Sequence, residues 1–243
     1  MSNASGAGAA MLQWGVIVPL VSLLVLPQGV GPRDLLRLGC GSVGVGIPPG
    51  WRIRPVHGQV APEAEIRGDE EDLALRLTGA GRAAWFYREV KIRSSEAGGI
   101  LHWSWRVHEA PSGADLRRRE TDDSPMRVYV VFGKPGSLFG GSGGIIFYSF
   151  GNQDPVAYSA PSHMDDRLHL VRVDGAMDHG RWRQHAVDPF ADYRRIWGRT
   201  PPAITAIGVM QDTDQTKALA VAEIRQLEWI PGPSAADRAA EPS

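Results

Sequence analysis

The chain of 243 residues is almost neutral, with 26 lysines and arginines against 27 aspartates and glutamates. This balance gives no electrostatic basis for binding nucleic acid or a strongly anionic surface. Its single cysteine excludes both an intramolecular disulfide and a structural zinc site built on paired cysteines. The length suits one domain with appendages, or at most two small domains, and is enough to bury a sizeable core.

The amino-terminal region contains the most apolar stretch of the chain, residues 11–26. This stretch is shorter than the ~20 residues that a membrane-spanning helix needs, and its length suits the apolar part of a secretory signal. No Lys or Arg precedes it, although a secretory signal normally starts with one. Three interpretations stay open: a cleaved signal within residues 1–28, an uncleaved membrane anchor, or a buried helix. The first two predict an exported protein, in the periplasm or cell envelope or attached to the membrane.

Residues 29–50 are rich in Gly and Pro and are predicted to form a linker. One part of this segment, residues 39–44, formally matches the GxGxxG pattern of dinucleotide-binding proteins. A dinucleotide site needs a strand before the pattern and a helix after it, whereas more Gly and Pro follow here. The match is therefore coincidental.

Alternation of apolar and polar residues begins at residue 51 and continues to residue 230, and this period of two predicts β-strands. The clearest case is residues 100–107, in which Leu101, Trp103 and Trp105 alternate with polar side chains. Clusters of Gly, Pro, Asn and Asp separate the predicted strands. These strands are predicted at residues 73–77, 83–92, 100–107, 127–132, 145–150, 167–173, 182–187, 204–210 and 219–230.

One short helix is predicted near residues 189–197. Asp188 can cap it, Pro189 suits its first position and Gly198 can end it. Many short strands with Gly/Pro-rich turns and a single helix indicate an all-β protein, specifically an antiparallel β-sandwich of jelly-roll type. This domain is predicted to span residues 51–230, with a disordered tail at residues 231–243.

Oxygen-bearing side chains follow the apolar run at residues 206–210. Asp212, Asp214 and Thr216 occupy alternate positions there, which is the usual beginning of a calcium-binding loop. Lys217 stands where an EF-hand needs glycine, and a strand follows, so an EF-hand is excluded. A looser calcium site in a loop of the sandwich remains the prediction.

A second acidic cluster, Asp122 and Asp123, also adjoins an apolar run. Neighbouring carboxylates repel one another unless a cation, an arginine or a shared proton neutralises them. We therefore expect Asp122 or Asp123 to pair with Arg127, or to join Asp212 and Asp214 around one cation. The alternative for both clusters is ordinary turn chemistry, in which the aspartates form Asx-turns between strands.

Two further polar residues, His102 and Arg106, share the polar face of the strand at residues 100–107. They would contact a ligand if this face is a concave sheet surface, and they would face solvent if it is not. Together with Arg127 they are the predicted ligand-binding residues. Ser142 lies in a formal GxSxG match, but a strand follows where a nucleophile elbow needs a helix, which argues against a serine hydrolase.

Several of these segments occur together in a recognisable series. Gly50-Trp51 is followed by WSWRV at residues 103–107, DDSPMRVYVVF at residues 122–132, DYR at residues 192–194 and DTD at residues 212–214. This series resembles a bacterial family catalogued as domain of unknown function 3047, and the resemblance covers roughly residues 51–229. It implies an amino-terminal export signal but no catalytic residue. It also implies a set of patterned polar residues, namely Asp122, Asp123, Arg127, Asp192, Asp212, Asp214 and Thr216.

The functional expectation is non-catalytic binding of a carbohydrate or another cell-envelope ligand, with calcium as the candidate structural ion. The eight tryptophans agree with it, because sandwiches that bind sugars stack aromatic side chains against pyranose rings. One alternative is a glycan-acting hydrolase with paired carboxylates. It requires Asp122 or Asp123 to lie close to Asp212 or Asp214. The other alternative is a purely structural or assembly domain.

Overall fold

The computed structural model describes residues 31–69, 72–93, 98–133, 143–175 and 178–232. The predicted signal or anchor at residues 1–28 therefore lies outside the described residues, as does the predicted tail from residue 233 onward. Among the described residues, no helix is long and apolar enough to span a membrane.

Strands account for about half of the described chain. In chain order they are β1 (Arg33–Asp34), β2 (Gly44–Val45), β3 (Arg52–Pro55), β4 (Glu63–Arg67), β5 (Ala74–Ala80), β6 (Ala83–Ile92), β7 (Gly99–Glu109), β8 (Ser124–Phe132), β9 (Ile145–Phe150), β10 (Ser159–Pro161), β11 (Leu168–Asp174), β12 (Arg183–Val187), β13 (Ile204–Asp212) and β14 (Leu219–Pro231). Short 3₁₀ turns lie at Cys40–Ser42 and Arg119–Thr121, and the helix α1 spans Pro189–Trp197.

The strands form two sheets that pack face to face. Sheet A has the order β12-β7-β14-β5-β4-β2, with β1 also paired to β14, and sheet B has the order β10-β11-β9-β8-β13-β6-β3. This arrangement confirms the predicted all-β sandwich. The described pairs are antiparallel except β9 and β11, which run parallel. β10 lies at the edge of the sheet, and the next strand, β11, runs antiparallel to it and lies between β10 and β9.

The main core lies between the sheets, and the alternation in β7 explains one side of it. Leu101, Trp103 and Trp105 are buried in this core, whereas His102 and Arg106 point to the other face. Each fully buried side chain of this kind contributes about 1.5–3 kcal/mol relative to its exposed state. The period of two in the sequence therefore identified the correct buried face.

Helix α1 closes one end of the sandwich, and its ends are as predicted. The Asp188 carboxylate accepts hydrogen bonds from the backbone N–H groups of Phe190 and Ala191 at 2.9 and 3.0 Å. Gly198 ends the helix with a left-handed φ of 64°, which glycine adopts without a steric penalty. Tyr193 is buried against Phe132, with ring centroids 4.7 Å apart.

The segment predicted as a linker at residues 29–50 contributes to the sandwich in its described part, which corrects that prediction. Leu35 and Leu36 are buried in the main core. The Leu35 N–H donates to the Leu227 carbonyl at 2.8 Å, and the Trp51 indole N–H donates to the Leu35 carbonyl at 2.8 Å. Two adjacent leucines are too short a run to show a strand period, so the sequence pattern missed them.

Sheet B is buried on both faces, and the candidate site lies at one end of this sheet. All residues of β8, β9 and β13 are buried, so their apolar runs show little alternation. A second apolar cluster covers the face of sheet B that points away from sheet A, and it includes Trp85, Tyr129 and Phe147. Leu116, from the connection between β7 and β8, packs onto this cluster.

Candidate cation and ligand site

The two acidic clusters meet at one end of sheet B. The connection from β7 to β8 and the connection from β13 to β14 both cross between the sheets. Because β8 and β13 are antiparallel neighbours, the start of β8 lies beside the end of β13, with Ser124 opposite Asp212. Asp123, Asp212 and Asp214 each present an oxygen there, and these oxygens lie within 4.8 Å of one another. We call these three residues, together with Asp122, the acid cluster. Asp123 therefore lies close to Asp212 and Asp214, which is the proximity that the sequence-based hypothesis of paired carboxylates requires.

Arg127 is the cation that contacts the acid cluster. Its Nη2 atom donates to Asp122 Oδ1 at 2.7 Å, and its Nη1 atom donates to Asp212 Oδ2 at 3.2 Å. Its side chain is only 4% exposed and lies over the ring of Phe147, 5.6 Å from the centroid. Arg127 therefore pairs with Asp122, as one of the two expected arrangements requires. Asp123 also lies close to Asp212 and Asp214, which is the proximity that the other arrangement requires.

Asp123 also fixes the turn that carries Asp214. Its carboxylate accepts hydrogen bonds from the backbone N–H groups of Gln215 and Thr216, at 3.2 and 2.7 Å, and from the Thr216 hydroxyl. Thr216, a predicted metal ligand, thus contacts Asp123 through its side chain. Its oxygen retains lone pairs that can accept a cation.

The acid cluster contains four carboxylates, and all four act on the positive charge of Arg127. Burial raises the pKa of Asp212 well above its ordinary value; Arg127 opposes this shift, and the charges of Asp214, Asp123 and Asp122 reinforce it. Burial also raises the pKa of Asp122, against the opposing charge of Arg127. For Arg127, burial lowers the pKa, but the surrounding carboxylates outweigh it and the pKa is raised.

Three buried polar atoms at this site have no hydrogen-bond partner among the described residues. They are Asp212 Oδ1, Asp214 Oδ1 and Arg127 Nε. A buried polar atom without a partner costs about 1–3 kcal/mol. Two of the three belong to Asp212 and Asp214, whose carboxylates are members of the converging group. Their arrangement is suited to a group that binds there, either a cation or a hydrogen-bond donor.

A cleft of about 200 Å³ opens beside the acid cluster on the outer face of sheet B. Its polar wall includes Asp122, Arg127, Asp212 and Asp214. Its apolar lining comes from Val56, Trp85, Phe147, Met164, Leu168, Leu170 and Met210. An apolar cavity with a few convergent polar groups is the usual composition of a small-molecule site.

The other two predicted ligand-binding residues, His102 and Arg106, lie on sheet A. Arg106 donates to Glu223 Oε2 through Nε at 3.0 Å and Nη2 at 2.7 Å, and its guanidinium lies 4.6 Å from the ring centroid of Trp182. The structure therefore separates them from Arg127, which lies on sheet B. The predicted set does not form one site.

The sequence did not identify the aromatic floor of the cleft. Trp85 lies in an aromatic run whose members cannot all point to one face, and it points into the second apolar cluster together with Tyr87. Phe147 comes from β9, and its ring centroid lies 5.3 Å from that of Trp85. The run at residues 85–87 was the available signal for a second buried face.

Several solved structures resemble the fold of this chain at low sequence identity. A family 11 carbohydrate-binding module of the cellulase Lic26A-Cel5E of Clostridium thermocellum is 11% identical, with a TM-score of 0.45, and the match covers 84% of this chain and 96% of that chain. Endoglucanase 3 of Trichoderma harzianum, from family GH12, is 8% identical, with a TM-score of 0.44 and coverage of 80% and 96%. The family 11 xylanase of Neocallimastix patriciarum is 10% identical, with a TM-score of 0.40 and coverage of 83% and 100%.

No curated protein matches the chain in sequence. The model of a family described as protein of unknown function, DUF3047, matches residues 49–228. This match covers most of the chain, including both acidic clusters and Arg127. It confirms the resemblance found in the sequence, and the chain belongs to the DUF3047 family.

Proposed function

We propose that this protein is a non-catalytic binding protein. Its cleft on sheet B takes a carbohydrate or another cell-envelope ligand, and a calcium ion binds at Asp123, Asp212 and Asp214. One observation carries the proposal: the carboxylates of Asp123, Asp212 and Asp214 converge beside an aromatic-lined cleft, and Asp212 and Asp214 each keep one oxygen without a hydrogen-bond partner among the described residues.

The chemistry of the donors favours calcium over other metals. The converging side chains offer only carboxylate oxygens, with no His or Cys among them. Hard oxygen ligands suit Ca²⁺ and Mg²⁺, and Ca²⁺ accepts irregular geometry with 6–8 ligands, whereas Mg²⁺ demands a near-ideal octahedron. Two loops from different parts of the chain supply the oxygens, and such an arrangement favours the more tolerant ion.

The composition of the cleft favours a ligand with both apolar and polar faces. Trp85, Phe147 and Met210 supply apolar contact area, and Arg127 and the aspartates supply hydrogen-bonding groups. Sugar rings have this character, because their C–H groups pack on aromatic faces while their hydroxyls bind polar neighbours.

Calcium binding is tested by thermal unfolding of the full chain with calcium, magnesium or EDTA. A ligand that binds only the folded state stabilises it by about 2.7 kcal/mol at 100 times its Kd. We expect a clear rise in Tm with calcium and a smaller one with magnesium. The variant Asp214→Asn should lose most of the calcium effect, and Glu89→Gln, an exposed carboxylate paired with Arg52, should retain it. A Tm that responds to neither calcium nor EDTA would remove the metal from the proposal.

Glycan hydrolysis is the second candidate, and the convergence of the carboxylates is the observation in its favour. Retaining glycosidases place two carboxyl groups about 5–5.5 Å apart. Asp123, Asp212 and Asp214 are close enough for such a pair. Release of reducing sugars from cell-envelope glycans, abolished in Asp212→Asn, would support hydrolysis. Absence of both turnover and ligand binding would favour the structural or assembly alternative.

For localisation, we propose export, or attachment to the membrane through residues 11–26. The support is the apolar stretch in the sequence, which lies outside the described residues. Fractionation of cells expressing the full chain, or the chain without residues 1–28, tests this proposal. Recovery of both forms in the same soluble cytoplasmic fraction would contradict it.

A further inference from the structure

The carboxylates of the acid cluster can fill only part of a calcium coordination shell. Asp123, Asp212 and Asp214 each offer one oxygen to the converging group. Asp212 Oδ2 is already bound to Arg127, and both oxygens of Asp123 accept hydrogen bonds from the 215–216 backbone. Because Ca²⁺ takes 6–8 oxygens, these carboxylates leave about three to five positions for other ligands.

The open side of this arrangement faces the cleft. Asp212 and Asp214 line the cleft, whereas Asp123 lies behind them against the turn that it stabilises. Asp212 is 7% exposed, and its Oδ1 atom has no hydrogen-bond partner among the described residues. An ion between these three carboxylates therefore has protein on one side and the cleft on the other.

Charge restricts what can enter the cleft. Four carboxylates, those of Asp122, Asp123, Asp212 and Asp214, act on the single positive charge of Arg127. A bound Ca²⁺ adds two positive charges, and Arg119, which also lines the cleft, adds one, so the charges of the site sum to about zero. A site whose charges balance gives no net attraction to an anion or a cation, and this favours a neutral ligand.

Size and surface restrict the ligand further. The cleft volume of about 200 Å³ is below the ~300–1,000 Å³ of sites that take drug-sized molecules, so it admits one ring-sized group. The floor beneath this group is aromatic and apolar, formed by Trp85, Phe147 and Met210. A pyranose ring presents C–H groups to such a floor and hydroxyls to the polar wall.

Resting on the proposed function, we infer that the ligand itself completes the coordination of the calcium ion. The ligand is a neutral sugar unit whose two vicinal hydroxyls bind the ion while its ring packs on Phe147 and Trp85. The calcium ion is then part of the binding site, and calcium and sugar each strengthen the binding of the other by the same factor.

Isothermal titration of the full chain with neutral methyl glycosides tests this inference. The probes are the methyl pyranosides of mannose, galactose and glucose, which differ in the arrangement of their vicinal hydroxyls. Glucuronate serves as the anionic counterpart and benzyltrimethylammonium as an organic cation of similar size. We expect at least one methyl glycoside to bind in calcium and to lose about tenfold or more of its affinity in EDTA, a loss of about 1.4 kcal/mol.

Variants separate the two parts of the site. Asp214→Asn should weaken both calcium and glycoside binding. Phe147→Leu should weaken glycoside binding, while calcium alone still binds with nearly unchanged affinity. Glu89→Gln is the matched control, because Glu89 lies on β6 about 20 Å from Ala83, the strand partner of Asp212, at roughly 3.3 Å per residue. It should change neither affinity.

The outcomes distinguish this inference from the proposed function. Equal glycoside affinity in calcium and in EDTA would overturn the inference and leave ligand binding intact. Calcium binding without any glycoside binding, or a preference for glucuronate, would also overturn it. Tighter binding of benzyltrimethylammonium in EDTA than of any glycoside in calcium would assign the cleft to an organic cation. Failure of calcium and of every probe to bind would remove the proposed function as well.

Discussion

Two clusters of charged side chains lie on opposite sheets. One has more basic side chains than carboxylates, and the other has more carboxylates than basic side chains. On sheet A, the single carboxylate of Glu223 lies 3.0 Å from Arg76, 2.7 Å from Arg106 and 3.0 Å from the His108 ring. On sheet B, the four carboxylates of the acid cluster share Arg127. The first cluster supplies more cationic partners than its carboxylate needs, and the second supplies too few.

This difference separates a structural cluster from the proposed binding site. Burial raises the pKa of Glu223, but His108, Arg106 and Arg76 together outweigh it and hold the pKa below its ordinary value. Both oxygens of Glu223 therefore have partners within the fold. The acid cluster instead keeps two carboxylate oxygens that have no hydrogen-bond partner among the described residues. A cluster that is satisfied within the chain needs no ligand, whereas one with a deficit of positive charge can be completed by a ligand.

The largest expected effect comes from Arg127→Met, which removes the cation that contacts the acid cluster. Asp122 and Asp212 would then remain buried without a positively charged partner. Loss of one partner of a buried ion pair costs about 3–5 kcal/mol, so we expect a loss of this size in EDTA. Urea unfolding monitored by tryptophan fluorescence measures it.

The matched control is Arg52→Met on the same sheet. Arg52 pairs with Glu89 at 2.8 Å, but the two side chains are 65% and 52% exposed. Exposed pairs contribute about 0–1 kcal/mol. If Arg127→Met costs no more than this control, Arg127 does not hold the acid cluster together, and the comparison between the two clusters fails.

The next largest expected effect concerns the cluster on sheet A, in which both oxygens of Glu223 have partners. Glu223→Gln weakens hydrogen bonds to charged partners, each worth about 1.5–3 kcal/mol, so we expect a loss of about 2 kcal/mol at neutral pH. The folded pKa of Glu223 is below its ordinary value of 4.5. Its contribution is therefore fully present above the unfolded pKa and is lost as pH falls through the folded pKa.

The measurement is the difference in unfolding free energy between the wild type and Glu223→Gln from pH 7 to pH 3. This difference should shrink as the pH falls below about 5, where Glu223 becomes protonated. Glu89→Gln, which changes an exposed carboxylate, should show a small difference throughout. A wild-type advantage that grows between pH 5 and pH 3 would mean that Arg76, Arg106 and His108 do not stabilise the ionised form of Glu223.

The two clusters also differ in how far the sequence predicted them. The alternation in β7 and the caps of α1 are local signals, so they predicted a strand face and both helix ends correctly. Asp212 and Asp214 were identified by their spacing after an apolar run. Their meeting with Asp123 depends on β8 and β13 being neighbours, and a single sequence does not contain the strand order.

Features that depend on distant contacts were missed. Glu223 is separated by 147 residues from Arg76 and by 117 from Arg106, so no local pattern connects them. The floor of the cleft was missed for a different reason. Sheet B is buried on both faces, and β8 and β13 therefore read as continuous apolar runs in which period two no longer distinguishes the faces.

The smallest expected effect is that of Asp214→Asn on the stability of the fold. It tests the difference between the two clusters most directly, because the sign of the effect depends on calcium. In EDTA, Asp214→Asn removes one of the repelling charges and should stabilise the fold by an amount of order 1 kcal/mol, the Coulomb energy of two unit charges about 4 Å apart in water. In saturating calcium the same variant lacks a ligand and should be less stable than the wild type. Thermal unfolding under both conditions measures the reversal, with Glu223→Gln destabilising in both as the control. Destabilisation of Asp214→Asn to the same extent with and without calcium would show that Asp214, like Glu223, is satisfied within the chain.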